Sequence, residues 1–255
     1  MTEDLVVTRT GAVMEIRFNR PSKKNALTRA MYAGVVDAFA AADADPAVRV
    51  MLLTGTGDTF TSGNDIKDFQ QRASSNAASG ASPFLSALST LKKPLIAAVN
   101  GAAIGVGTTM LAHCDLIIAA RSARFVMPFT SLGLVPEAGS SLLFPQIVGH
   151  QRASALLLLG EPLDAETAFQ WGFVNQVVDD AALMDTAHAV AARLAALPAA
   201  SVRQTKQLIK TGAPDLQARI AQELTLFAAR VRSPEAAEAF QAFMEKRKPD
   251  FSQFD

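Results

Sequence analysis

Residues 96–120 form a long apolar run, yet Asn100, Gly101, Gly105, Gly107 and Asp115 interrupt it. A membrane-spanning helix needs about 20 consecutive apolar residues, so the breaks predict a buried strand, a turn, a helix and a second strand instead. No transmembrane segment is expected. Met14, Ile16 and Phe18 alternate with Glu15 and Arg17, the pattern of a half-exposed strand before the turn Asn19-Arg20-Pro21. Residues 48–53 read as a buried strand ending at Thr54-Gly55, and further strands are expected at 94–99, 116–119 and 125–127. Between Thr28 and Ala42, Met31, Val35, Val36 and Phe39 keep helical spacing, with Thr28 placed as the N-cap. Strands alternating with helices of about ten residues or more predict an α/β architecture.

Beyond Asp180 the chain is alanine-rich with helical spacing, over 181–197, 201–210, 215–231 and 234–246, broken at Pro198, Gly212-Ala213-Pro214 and Ser233-Pro234. The C-terminal third is therefore expected to be a helical appendage, with a core over 1–197 and a helical region over 198–255. Residues 73–82 are small and polar and predict a mobile loop or lid edge. With 255 residues and 49% hydrophobic content the chain can bury a large core. Its 24 Lys+Arg balance 24 Asp+Glu, which removes the electrostatic footprint of a nucleic-acid binder. Arg247-Lys248 is too short a basic run to imply a membrane surface. One cysteine, Cys114, allows no internal disulfide, and His113, His150 and His188 lack metal-ligand spacing. Metal-free chemistry in a reducing compartment is expected. Met1-Thr2-Glu3-Asp4-Leu5 lacks the basic start and apolar stretch of a secretory signal, so a cytoplasmic location is expected too.

Two glycine-containing turns, Phe60-Thr61-Ser62-Gly63-Asn64-Asp65-Ile66-Lys67 and Asn100-Gly101-Ala102-Ala103-Ile104-Gly105-Val106-Gly107, each follow an expected strand and lead toward an expected helix. Backbone amides in such turns can donate to an anionic oxygen. Tight packing alone is the other use of these glycines, and spacing by itself favours it. Neither turn ends as a phosphate loop does. Glu137 lies in Leu134-Val135-Pro136-Glu137-Ala138-Gly139-Ser140-Ser141, between a proline turn and a small-residue helix start, with apolar sequence on both sides. It is a candidate proton-transfer base.

From Val13 to Phe251 the chain resembles the crotonase, or enoyl-CoA hydratase/isomerase, superfamily. The resemblance rests on Asn19-Arg20-Pro21 with Asn25-Ala26-Leu27, the 62–67 turn, and Gly101-Ala102-Ala103-Ile104-Gly105-Val106-Gly107 leading to Cys114-Asp115. Leu132-Gly133-Leu134-Val135-Pro136, Ala168 with Gly172-Phe173-Val174-Asn175, and Ala242-Phe243-Met244-Glu245-Lys246-Arg247 extend it. It implies a crotonase-like spiral of ββα units with a C-terminal helical region that serves oligomerisation, as a homotrimer or a dimer of trimers. It also implies an acyl-CoA thioester as substrate, CoA being part of that substrate and no further cofactor being needed, and a place in fatty acid metabolism. By motif position the backbone amides of Asn64 and Val106 would polarise the thioester carbonyl. Lys24, Ala26, Ser62, Gly63, Asn64, Asp65, Ile66 and Lys67 would border the CoA, an ordinary solvated lysine being the other reading of Lys24. Phe129 would line the acyl site, and Phe243 and Lys246 would reach a CoA held by an adjacent subunit.

The hydratases of this family use two glutamates, at positions that correspond here to Thr109 and Phe129. Neither can transfer a proton to or from water. Glu137 matches the single acid of a subgroup of 3-enoyl-CoA to 2-enoyl-CoA isomerases, a reaction that one carboxylate can serve by taking a proton from C2 and returning it to C4. A positioned base contributes about 10²- to 10⁴-fold, and apolar neighbours raise its pKa toward neutrality. The expected activity is this isomerisation. Hydration or another crotonase reaction is the alternative, and a non-catalytic acyl-CoA-binding protein is the reading from another class. Among the remaining residues, Asp65 is expected to cap a following helix, and Asp115 to satisfy local backbone groups. Cys114 is expected to be a small buried apolar residue. Thr108 and Thr109 are expected to face the core or bond back to the helix, with a weak acyl contact as a second role for Thr109.

Overall fold

The computed structural model describes residues 3–65, 83–211, 215–252 and 254. Its first half runs β1 (Leu5–Thr10), β2 (Val13–Phe18), α1 (Arg29–Ala44), β3 (Val50–Gly55), β4 (Thr59–Thr61), α2 (Pro83–Thr90), β5 (Leu95–Val99), β6 (Ala102–Ile104) and α3 (Val106–Thr109). There follow β7 (Leu116–Ala120), β8 (Arg124–Val126), α4 (Ser140–Val148), α5 (His150–Ser154), β9 (Leu163–Asp164), α6 (Ala165–Gln170) and β10 (Gln176–Val178). Helices α7 (Leu183–Ala196), α8 (Ala199–Thr211), α9 (Leu216–Val231) and α10 (Pro234–Glu245) complete the described chain.

A six-stranded sheet has the order β1-β2-β3-β5-β7-β10, antiparallel only between β1 and β2. Strands β3 and β5 are buried along their whole length, as parallel strands covered on both faces must be. The two-residue period separates the faces. Val50, Leu52, Ile96, Ala98, Ile118 and Ala120 meet Leu183, Ala187 and Ala191 of α7. Met51, Leu53, Ala97, Val99, Ile117 and Ala119 point into the main core instead. Helix α7 thus covers the sheet rather than standing off as an appendage.

A second sheet, in the order β4-β6-β8-β9, takes the second strand of each unit: β3 is followed by β4, β5 by β6 and β7 by β8. This is an α/β spiral of ββα units followed by C-terminal helices. The second sheet corrects the sequence expectation, in which residues 60–61 and 102–104 belonged to turns and long helices separated the strands. Three-residue strands are too short to show a period, and α3 is only four residues long. The expected strand at 125–127 is β8, one residue earlier. The Thr28 cap forms, its side chain accepting from the Met31 amide at 3.3 Å, and the expected C-terminal helices lie within two residues of α7 to α10. Residues 73–82, read as a mobile loop, lie outside the described residues. Among the described residues no helix is long and apolar enough to cross a membrane.

Candidate active site

Residues 24–27 form a strap along the first glycine turn. The Ser62 amide donates to the Lys24 carbonyl (2.9 Å), the Leu27 amide to the Gly63 carbonyl (2.8 Å), and the Asp65 amide to the Leu27 carbonyl (3.0 Å). Lys24 and Asn25 both have positive φ, 50° and 54°, so the strap needs an anchor. Asn25 supplies it: its buried side chain accepts from the Arg20 amide (2.9 Å) and donates to the carbonyls of Thr56 (2.9 Å) and Thr59 (2.6 Å). The structure therefore brings Lys24, Ala26, Ser62, Gly63, Asn64 and Asp65 together.

The second turn lies directly against the first. A Cβ on Gly63, whose φ is +89°, would stand 2.8 Å from the Ile104 carbonyl oxygen, and one on Gly107 would stand 2.6 Å from Thr61 Cγ2. Glycine at both places lets β4 and the start of α3 approach this closely. Val106 is the first residue of α3, where an amide has no intrahelical acceptor. Asn64 pairs with Leu27 only through its neighbours' backbone groups. Among the described residues no carbonyl accepts from either amide, so both remain available to an oxygen. The Asn64 side chain is held aside, its Oδ1 accepting from the Tyr32 hydroxyl at 2.7 Å.

Glu137 reaches this same turn. Its Oε1 accepts from the Thr109 hydroxyl at 2.6 Å, and Thr109 closes the helix that Val106 opens. Thr109 is buried and its hydroxyl lies 3.5 Å from the Val106 carbonyl, as the expectation of a core-facing or back-bonded threonine has it, but the Glu137 carboxylate is the nearer acceptor. Glu137 is 7% exposed. Its pKa is pushed up to about 7, chiefly by burial; the Thr109 hydrogen bond lowers it and the charge of Glu223 raises it. A carboxyl poised there can accept a proton and give it back near neutral pH.

The loop behind Glu137 is held from two sides. Ala138 and Gly139 have φ of 62° and 70°. His113 Nε2 lies 2.7 Å from the Ala138 carbonyl oxygen, and burial pushes this histidine's pKa down to about 4. A neutral ring facing a carbonyl must carry its hydrogen on Nε2, so His113 donates. From α9, the Glu223 carboxylate accepts from the amides of Gly139 (2.6 Å) and Ser141 (2.9 Å) and from the Ser141 hydroxyl. It caps the N-terminus of α4, where a carboxylate is favourable. Sequence reasoning missed Glu223, although Ile220, Glu223, Leu224 and Phe227 share one face of α9, and a charge in an apolar stripe was the available signal.

The other expected site residues differ in their placement. Ile66 and Lys67 lie outside the described residues. Asp65 was expected to cap the helix after it, which is likewise outside them; its carboxylate takes Arg20 Nη1 at 3.1 Å. Lys24 pairs with Asp58 at 2.8 Å in an exposed ion pair. Phe129 is buried, with its ring edge-on to Phe227 of α9 at 6.4 Å. Phe243 and Lys246 are not tied to this cluster among the described residues: Phe243 is 61% exposed near the end of α10 and Lys246 caps that helix. Asp115 accepts from the Leu95 amide (2.7 Å) and Lys206 Nζ (2.6 Å), a structural use as expected. Cys114, expected to be buried, is only partly so and packs against the main core; burial pushes its thiol up to about 12, which disfavours the thiolate near neutral pH.

The burial of Glu137 has a cost in stability. Because its folded pKa lies above the ordinary value of 4.5, its contribution is fully present below pH 4.5 and is lost as pH rises through about 7. Glu137→Gln does not titrate. Its stability relative to the wild type is therefore expected to rise between pH 4.5 and pH 8, by on the order of 3 kcal/mol. Urea unfolding of both proteins at the two pH values checks this, and His113, common to both, cancels in the difference. A constant difference would mean that Glu137 is not desolvated.

Over residues 8–254 the chain matches the family model described as enoyl-CoA hydratase/isomerase. It is 38% identical over 250 residues to the 1,2-epoxyphenylacetyl-CoA isomerase of Escherichia coli (strain K12), covering 94% of this chain and 95% of that protein. It is 35% identical over 255 residues to the enoyl-CoA delta isomerase 2 of Rattus norvegicus, covering 97% of this chain but only 65% of that longer protein. A crystal structure of an enoyl-CoA hydratase/isomerase from Pseudoalteromonas atlantica T6c superposes with a TM-score of 0.91 at 43% identity, over 98% of this chain and 100% of that one.

Proposed function

Since the chain belongs to the enoyl-CoA hydratase/isomerase family, we propose that it isomerises 3-enoyl-CoA to 2-enoyl-CoA with Glu137 as its single proton shuttle. The observation that carries this is the buried Glu137 carboxylate, hydrogen-bonded to Thr109 in the turn that offers the Val106 amide. The ionised carboxylate removes a proton from C2, and the C2–H electrons pass into the thioester, leaving an enolate oxygen that the amides of Asn64 and Val106 hold. Protonated Glu137 then delivers the same proton to C4 as the double bond moves between C2 and C3. The carboxylate is regenerated, and no water is consumed.

Hydration would call on a second acid. The residues at the corresponding positions are Thr109 and Phe129, and the nearby Glu223 has its oxygens occupied by Gly139 and Ser141. A relative named enoyl-CoA delta isomerase 2 supports the same choice. Lys24, Ala26, Ser62, Gly63, Asn64, Asp65, Ile66 and Lys67 would border the CoA, and Phe129 the acyl group. Phe243 and Lys246 would meet the CoA of a neighbour in a homotrimer or a dimer of trimers, which fits their exposure at the end of α10. The activity test is a direct comparison of 3-enoyl-CoA isomerisation with 2-enoyl-CoA hydration. Isomerisation is expected to be the faster by orders of magnitude; a dominant hydratase rate would overturn the proposal.

A further inference from the structure

The segment between Pro136 and α4 carries Glu137 and has no regular structure of its own. Two successive residues, Ala138 and Gly139, take left-handed backbone angles, and for the alanine that conformation costs roughly 1–2 kcal/mol. Something outside the segment must hold it. Ser140 closes it locally, its hydroxyl donating to the Glu137 carbonyl at 2.6 Å. His113 holds the Ala138 carbonyl. The amides of Gly139 and Ser141 go to one side chain, Glu223, which is 4% exposed and more than 80 residues away in the chain. Leu216 and Ile220 of the same helix press on Gly139, where an added Cβ would come within 2.5 Å of Leu216 Cδ1.

We propose that Glu223 is a positioning residue for Glu137: its carboxylate clamps the two amides that follow the base and so fixes where the base stands against the thioester. The inference rests on Glu137 being the base. An apolar residue at position 223 would continue the stripe of α9 without desolvating a charge, so packing alone does not explain the acid. Its charge also acts on Glu137, whose pKa it raises. The other groups facing this pair are the Thr109 hydroxyl from α3, neutral His113 beyond Ala138, and Arg219, which donates to the Ser141 hydroxyl at 3.1 Å.

The test uses two variants and two readouts. Glu223→Gln removes the charge and one good acceptor; Glu223→Asp keeps the charge and draws it back by one methylene. The Glu137 carboxyl is followed through pH by carbon-13 NMR of protein labelled at glutamate Cδ, assigned by its loss in Glu137→Gln, and kcat and KM are measured on 3-enoyl-CoA. Glu223→Gln is expected to move the Glu137 midpoint to lower pH and reduce kcat about tenfold or more. Glu223→Asp is expected to leave the midpoint near the wild-type value and reduce kcat by up to about 10²-fold, the loss that a displacement near 1 Å brings. KM is expected to change little in either. If both variants only lower Tm, while kcat and the midpoint of the folded protein stay at wild-type values, the clamp is structural and the proposal falls. The NMR midpoint needs no turnover and reports the charge of Glu223 at Glu137, whereas kcat judges the clamp: unchanged kcat in both variants overturns the proposal whatever the midpoint does, and a fully active Glu137→Gln would sink the assignment of the base instead. Should Glu223→Gln fail to fold, Glu223→Asp alone decides, since unchanged kcat there overturns the proposal.

Discussion

Glu137→Gln is expected to slow the conversion of 3-enoyl-CoA by about 10²- to 10⁴-fold, the range a positioned general base contributes. The amide has nearly the shape of the carboxyl and can still accept from the Thr109 hydroxyl, so the loop should keep its place and KM should move little. What is lost is the basic oxygen. In the wild type the same group should govern the acid limb of the pH profile: kcat/KM should fall as pH drops through about 7, where burial has pushed the carboxyl, because only the ionised form removes a proton. Steady-state kinetics over a pH series on both proteins is the measurement. Wild-type turnover in Glu137→Gln, or an acid limb near pH 4.5, would remove Glu137 from the chemistry.

Val106→Pro is expected to lower kcat by about 10²- to 10³-fold, the effect of deleting one donor from an oxyanion hole. The substitution removes the amide hydrogen and exchanges a buried valine side chain for the proline ring. Val106 opens α3 after Gly105, and proline is well suited to the first position of a helix, where its missing N–H had no intrahelical partner. Secondary structure by circular dichroism should therefore be kept, as should the contact of Thr109 with Glu137. A control at the same position, Val106→Ala, keeps the amide and should retain most of the rate. Equal rates in the proline and alanine variants would show that the Val106 amide does not carry the developing charge.

Elements with strong local signals were legible in the sequence. Thr28 caps its helix as expected, the break at Ser233-Pro234 opens α10, and the apolar runs read at 48–53 and 94–99 became the buried parallel strands β3 and β5. The second sheet was not legible, because strands such as β4 and β6 are defined by pairing with each other rather than by their own composition. The same distinction divides the site. Both glycine turns and Glu137 stood out as motifs, whereas the Thr109–Glu137 bond joins residues 28 apart and Glu223 joins Gly139 across 84. Pairings at such separations leave no spacing to read. Thr109 illustrates the limit: the resemblance put it where the family's hydratases carry an acid, and only its place showed that it holds Glu137.

Because Leu216, Ile220 and Glu223 all come from α9, the order of synthesis matters to this protein. A nascent chain that ends after α7 already contains every strand of both sheets and Glu137 itself. The amides of Gly139 and Ser141 would still lack their acceptor. On the ribosome, the strands of both sheets emerge before the helix that backs the Glu137 loop.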